Sequence, residues 1–235
     1  MPHAKLGAAL TAVNWNGNVA ALLSDVPITK AISARNLRVA IWAKQLEISD
    51  YGNPALCFVR EMQIAGQHVA VLMALALYKP AAACMRTMLE TGLYYSYFRT
   101  HQSELATLVR DPEYFVDKKA LLEYHKNHTP NFVELQRKLG VVSRLETWYS
   151  RVSAVVHGQI PGAWMQHQTI AEIAPNKATQ NLTISEFQEG EEILHRLFLC
   201  TVGRLLWDTF SVAAKKELLR GLPGALKAAL ALDAA

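Results

Sequence analysis

Arg151 and His157 lie in the run Trp148-Tyr149-Ser150-Arg151-Val152-Ser153-Ala154-Val155-Val156-His157-Gly158, where groups able to do chemistry interrupt an otherwise apolar helical pattern. Histidine moves protons near neutral pH, and arginine holds a phosphate and its developing charge through a planar fork. The pair therefore suits phosphodiester chemistry without a metal. Its spacing is cheap, because 12 arginines and 8 histidines in 235 positions give about one Arg-to-His match by chance over three tolerated spacings. Context has to carry the assignment. The imidazole falls at the foot of the helix, just before a glycine suited to a left-handed cap, where a ring is easily exposed. At about 100° per residue, Ser150 and Ser153 share the His157 side while Arg151 lies about 120° away. One such Arg and His do not pair tightly on a single helix, but a two-fold dimer would bring two sets into one cleft.

Arg86 and Glu90 form a second polar step, inside a segment from Pro80 to about Arg99 that is apolar almost all round and reads as a central helix. At i and i+4 they lie on one face and can pair. A half-buried ion pair is a poor device for stability, so the two readings are a site role and a structural bridge between packed helices. Ser150 and Ser153 read either as substrate contacts or as small residues at a helix contact. Tyr94, Tyr95 and Tyr97 read as core and interface aromatics, with base stacking the weaker alternative.

The elements that must position these groups are helical throughout. Residues 6–23 read as two short helices around an Asn14–Asn18 break, and Thr29–Ser49 as an amphipathic helix with Lys30, Arg35, Arg38 and Lys44 on its polar face. Asn53 and Pro54 start the next helix, to about Tyr78, and Pro80 opens the central one. Asp111-Pro112 is expected to open a helix to His125, and Thr129-Pro130 another that ends at Gly140. Ser143 with Glu146 reads as a capping box launching the Arg151 helix, and Ser185 with Gln188 as a second one. Between them, residues 159–183 carry Pro161, Gly162, Pro175 and Asn176 and read as a long loop, with a short hairpin or lid over Trp164 to Ile173. The expectation is one all-α domain over 1–235: N-terminal helices over 1–53, a bundle core over 54–210, and a C-terminal amphipathic helix over 211–235.

Composition narrows function. A hydrophobic share of 51% supports a full core, and a net charge of +4 is far from the concentrated basic surface of a non-specific duplex binder. Cys57, Cys84 and Cys200 are odd in number and widely spaced, which excludes a disulfide framework or CxxC site and fits a reducing cytoplasm. The amino end lacks a continuous apolar h-region. The longest apolar run, Val69–Leu77, falls short of the roughly 20 residues that span a bilayer, so no membrane partner is expected. No metal is expected either: HExxH is absent, and His125 and His128 stand three apart without further ligands. No phosphate loop, GxSxG elbow or cofactor motif is present.

Arg151 followed by His157 near the end of a late helix, the phrase from Tyr149 to Gly158, and the earlier Arg86-Thr87-Met88-Leu89-Glu90 step together resemble the HEPN superfamily, and within it a branch of uncharacterised bacterial proteins. The resemblance covers about residues 54–210. It implies a compact helical bundle that works as a homodimer and cleaves RNA without metal through 2′-hydroxyl attack, in toxin–antitoxin or anti-phage settings with an antitoxin or regulatory protein as partner. By position, His157 would be the acid–base residue, Arg151 the phosphate clamp and Glu90 an orienting group, with Arg86, Tyr149, Ser150 and Ser153 toward substrate. Val152 stands where many active members carry a polar residue. The alternative expectation is a non-catalytic HEPN-like interaction or scaffold module that binds a partner protein or nucleotide, with His157 packed or self-satisfied.

Overall fold

In the computed structural model, which describes residues 2–165 and 167–232, the chain is an all-α bundle with no strand among the described residues. Its elements are α1 (Pro2–Ala12), α2 (Trp15–Ser24), α3 (Val26–Ser49), α4 (Leu56–Ala74), α5 (Tyr78–Phe98), α6 (Gln102–Arg110), α7 (Lys118–His128), α8 (Phe132–Leu139), α9 (Val141–Val156), α10 (Lys177–Cys200), α11 (Val202–Leu206), α12 (Val212–Leu218) and α13 (Gly224–Leu230). No described helix is long and apolar enough to cross a membrane.

The all-round apolar sequence of α5 is explained by its position, packed on α4, α7, α9 and α10. Ala81, Ala82, Met85, Met88, Leu89 and Tyr95 are all fully buried. The close approaches use glycine. A Cβ on Gly92 would lie 2.3 Å from Leu194, and one on Gly190 would lie 2.5 Å from the Trp148 ring. That ring is fully buried, and its Nε1 donates to the Glu186 carbonyl at 2.8 Å, so α9 is keyed against α10 one turn before Arg151.

Several local signals yield to packing. α9 starts at Val141 from Gly140 in the left-handed region (φ 65°), so Ser143 and Glu146 lie inside it rather than at a capping box. Val141 and Leu145 are buried on either side of Ser143, and their burial sets where the helix begins. α10 begins at Lys177 with Asn176 as cap, its Oδ1 accepting from Thr179 N at 2.9 Å, and Ser185 is a mid-helix residue. The loop before it is therefore residues 157–176, with a 3-10 turn at Ile170–Glu172 and no hairpin among its described residues. Asp111 closes α6 instead of opening a helix, and Asp117 caps α7. The carboxy-terminal segment is two short helices, broken at Gly221-Leu222-Pro223, not one. On α3, the expected solvated basic face is partly internal. Arg38 donates through Nε and Nη2 to Glu191 of α10 at 2.7 and 2.5 Å, with Arg35 3.3 Å from the same carboxylate.

Candidate functional site

α5 places Arg86 and Glu90 on the face that meets α9. Arg86 Nε donates to Glu90 Oε1 at 2.9 Å, and Tyr149 Oη of α9 donates to the same oxygen at 2.5 Å. The guanidinium stands 4.8 Å from the Tyr149 ring centroid, and its Nη1 is 2.7 Å from His157 Nε2. A guanidinium has donors only, so Nε2 accepts and the ring in this contact is neutral, with its proton on Nδ1. The result is one hydrogen-bonded chain, Tyr149–Glu90–Arg86–His157, across two helices.

His157 reaches this position because α9 ends in a Schellman turn. Gln159 N bonds Ala154 O at 2.9 Å, Gly158 N bonds Val155 O at 3.2 Å, and Gly158 takes φ 68°. The ring bonds Arg86 rather than a last-turn carbonyl, and the residue is exposed. Two lysines complete a basic rim. Lys118, the first residue of α7, holds its Nζ 4.3 Å from the Tyr149 centroid, and a Cβ on Gly158 would lie 3.5 Å from Lys79 Nζ.

Electrostatics follow from these contacts. Burial and then the Glu90 hydrogen bond push the Tyr149 phenol up to about 12, so it keeps its proton. Burial pulls Arg86 down, but the hydrogen bond and charge of Glu90 outweigh it and the net shift is upward. Lys118 is lowered, mainly by burial, with Glu146 opposing and Arg86 adding to the shift.

Arg151 goes elsewhere. Its Nε and Nη2 donate to Glu186 of α10 at 3.1 and 3.0 Å, and that hydrogen bond is the main cause of its raised pKa. Glu186 is the first of a row of clamped α10 carboxylates. Arg144 holds Glu189 at 2.8 and 2.6 Å, Arg38 holds Glu191 and, at 2.6 Å, Glu192, and Arg196 also holds Glu192 at 2.8 Å. The two residues of the sequence motif are thus separated, Arg151 toward α10 and His157 toward α5, as their 120° offset requires. Within the chain the arginine beside His157 is Arg86. Val152 is 1% exposed, and burial in the core accounts for an apolar residue there. Ser150 is exposed, while Ser153 is half-buried with its Oγ unpartnered among the described residues. Sequence reasoning missed Lys79 and Lys118. Lys79, seven residues before Arg86 on α5, carried a readable signal, two helical turns on one face. Lys118 had none, since only tertiary packing brings α7 to α9.

His125 is internal, 2% exposed, with its ring nitrogens 2.8 Å from Ser96 Oγ and 2.8 Å from Thr129 Oγ1. No group of three or more His, Cys, Asp or Glu side chains among the described residues is arranged to hold a metal ion. Burial, then His101, lowers His125 from 6.5 to about 4. In that window the unfolded chain binds more protons than the folded one, so stability rises with pH and is lost on acidification. Taking the pH from 7 to 5 is expected to cost about 2 kcal/mol through this residue. Urea midpoints at the two pH values measure it, and His125→Gln, which cannot titrate, should lose visibly less. Equal losses in both proteins would remove His125 as the cause.

Fold and site together define an all-α bundle carrying a surface Arg–His–Glu–Tyr network with a basic rim. None of the family models, curated proteins or solved structures compared with this chain matches it.

Proposed function

We propose that the chain is a metal-independent endoribonuclease of the HEPN type, with His157 as the proton-transfer residue and Arg86, rather than Arg151, as the phosphate clamp. The observation that supports this reading best is the 2.7 Å contact between Arg86 Nη1 and His157 Nε2 at an exposed helix end. An RNA phosphate would draw the Arg86 fork to its oxygens, with Lys79 and Lys118 adding charge, and release the Nε2 lone pair. His157 then takes the proton of the 2′-hydroxyl as O2′ bonds to phosphorus. The P–O5′ bond breaks, and a protonated imidazole from a second copy, across a two-fold dimer, delivers a proton to O5′. The products are a 2′,3′-cyclic phosphate and a 5′-hydroxyl. Glu90 and the Tyr149 hydroxyl hold Arg86 in register. With this reading come the homodimer and the toxin or anti-phage setting, where an antitoxin or regulatory protein restrains cutting.

The test is incubation of a mixed RNA pool with the protein in EDTA, followed by analysis of the ends. Cyclic-phosphate ends are expected, and an oligonucleotide with a single 2′-deoxy sugar at the mapped cut should resist there. No cutting, or equal cutting of the deoxy substrate, would sink the reading. The non-catalytic alternative draws on a different observation. An apolar cleft of about 450 Å³ lies between α9, α10 and the 157–176 loop, lined by Val152, Val155, Ile160, Trp164 and Leu182, and it is the surface an interaction module would use.

A further inference from the structure

Beside the Arg86–His157 contact a cavity of about 270 Å³ opens between α5, α7, α9 and the loop 111–117, lined among others by Glu90, Tyr94, Phe115, Lys118 and Tyr149. It is large enough for a single heterocycle, and Tyr94, Phe115 and Tyr149 give it aromatic surface beside the charged groups of Arg86, Glu90, Asp117 and Lys118. Tyr94 is half-buried and held by Phe58 and Phe98, with ring centroids at 5.4 and 5.6 Å. Phe115 is 72% exposed on the loop at the rim. The same lining carries an acceptor. Glu90 Oε1 takes the hydrogen bonds of both Arg86 and Tyr149, while Oε2 has no hydrogen-bond partner among the described residues. Arg86 is shared between this cavity and His157, so a group held here sits next to a phosphate held there.

We propose that this cavity is a base subsite for an unpaired nucleotide, in which the base stacks on Phe115 and Tyr94 and Glu90 Oε2 accepts from an exocyclic amino group. Cytosine, adenine and guanine offer that donor. Uracil does not, and its N3–H lies between two carbonyl oxygens that a carboxylate repels. Stacking supplies affinity because every base has a π-face, and the carboxylate supplies selectivity. The subsite rests on the ribonuclease reading for the meaning of its phosphate, but binding tests it without turnover.

The experiment is calorimetric titration of the full chain with inorganic phosphate and with the 3′-monophosphates of guanosine, cytidine, adenosine and uridine. The three amino-bearing nucleotides are expected to bind at least about tenfold more tightly than phosphate, the gain of one stacked base, and more tightly than uridine monophosphate, which stacks but gives Glu90 Oε2 no amino donor. Phe115→Ala, at an exposed position, should remove about tenfold of that affinity and leave phosphate binding unchanged, which also shows that the variant is folded. Glu90→Gln should narrow the gap between uridine and the others, because an amide can donate to a uracil carbonyl. Nucleotides that bind no better than phosphate, no discrimination against uridine, or an indifferent Phe115→Ala would each overturn the subsite. A chain that binds nucleotides in this way but cuts no RNA keeps the subsite and loses the ribonuclease reading. A chain that cuts RNA while Phe115→Ala changes nothing loses the subsite alone.

Discussion

His157→Ala and Arg86→Ala are each expected to lower RNA cleavage by about a hundredfold or more, whereas Arg151→Ala should cost less than about tenfold. A positioned acid–base residue contributes about 10²–10⁴-fold, and removing one preorganised donor to a developing anion costs about 10²–10³-fold. Arg86 is within hydrogen-bond reach of His157 at 2.7 Å, and Arg151 is spent on Glu186. Arg86→Lys should recover little, because an ammonium lacks the fork that serves Glu90 and a phosphate together. Arg151 has a 51% exposed side chain, so its ion pair is worth no more than about 1 kcal/mol and its loss leaves the fold intact. Single-turnover rates on one oligonucleotide, with circular dichroism on each variant, decide the matter. If Arg151→Ala is as damaged as His157→Ala, the clamp is the motif arginine, delivered by a second copy, and Arg86 is a structural neighbour.

Arg38→Leu is expected to destabilise the protein by about 3–5 kcal/mol, the cost of leaving a buried charge without its partner. The buried partner is Glu191, 1% exposed, which receives two Arg38 hydrogen bonds and one from Arg35, while Arg38 Nη2 also donates at 2.6 Å to Glu192, which keeps Arg196 in either variant. Burial pushes the Glu191 carboxyl up and Arg38 opposes it. Without Arg38 the carboxylate keeps only the 3.3 Å Arg35 contact, and the balance of burial favours its taking up a proton. For a chain of this size the loss corresponds to a Tm lower by about 6–20 °C. The double variant Arg38→Leu, Glu191→Leu should regain most of the loss, since replacing both members of a buried pair by apolar groups is often neutral. Differential scanning calorimetry reads both outcomes. A single variant within about 2 °C of the parent would show that Arg35 alone satisfies Glu191.

The helical class was legible in the residues because its signals are short-range. Pro80 near the start of α5, Gly140 and Gly158 in left-handed caps, and 3.6-residue periodicity all act within one or two turns. The apolar girth of α5 announced a largely buried helix, and the Arg86–Glu90 step was readable from i,i+4 spacing alone. The 120° offset between Arg151 and His157 already stated that one helix would send them different ways. False starts came from the same short-range signals, because a Ser-x-x-Glu or Ser-x-x-Gln step costs a helix interior little. Whether Ser143 or Ser185 begins a helix depends on how far the neighbouring turns are buried, and that is not a local property.

Local signals along the chain are therefore enough for an all-α chain, its central helix, and a histidine presented at a glycine-capped helix end. Which arginine meets that histidine is set by the packing of α5 and α10 on α9. α10 carries Glu186 opposite Arg151, and α5 carries Arg86 opposite His157. A polar side chain takes the complementary partner that packing offers, for Arg151 a carboxylate 35 residues away and for His157 a guanidinium donor 71 residues away. The same packing brought Lys118 over the Tyr149 ring and set Phe115 at the mouth of the cavity beside Glu90. Spacing along one helix cannot encode groups that arrive from another.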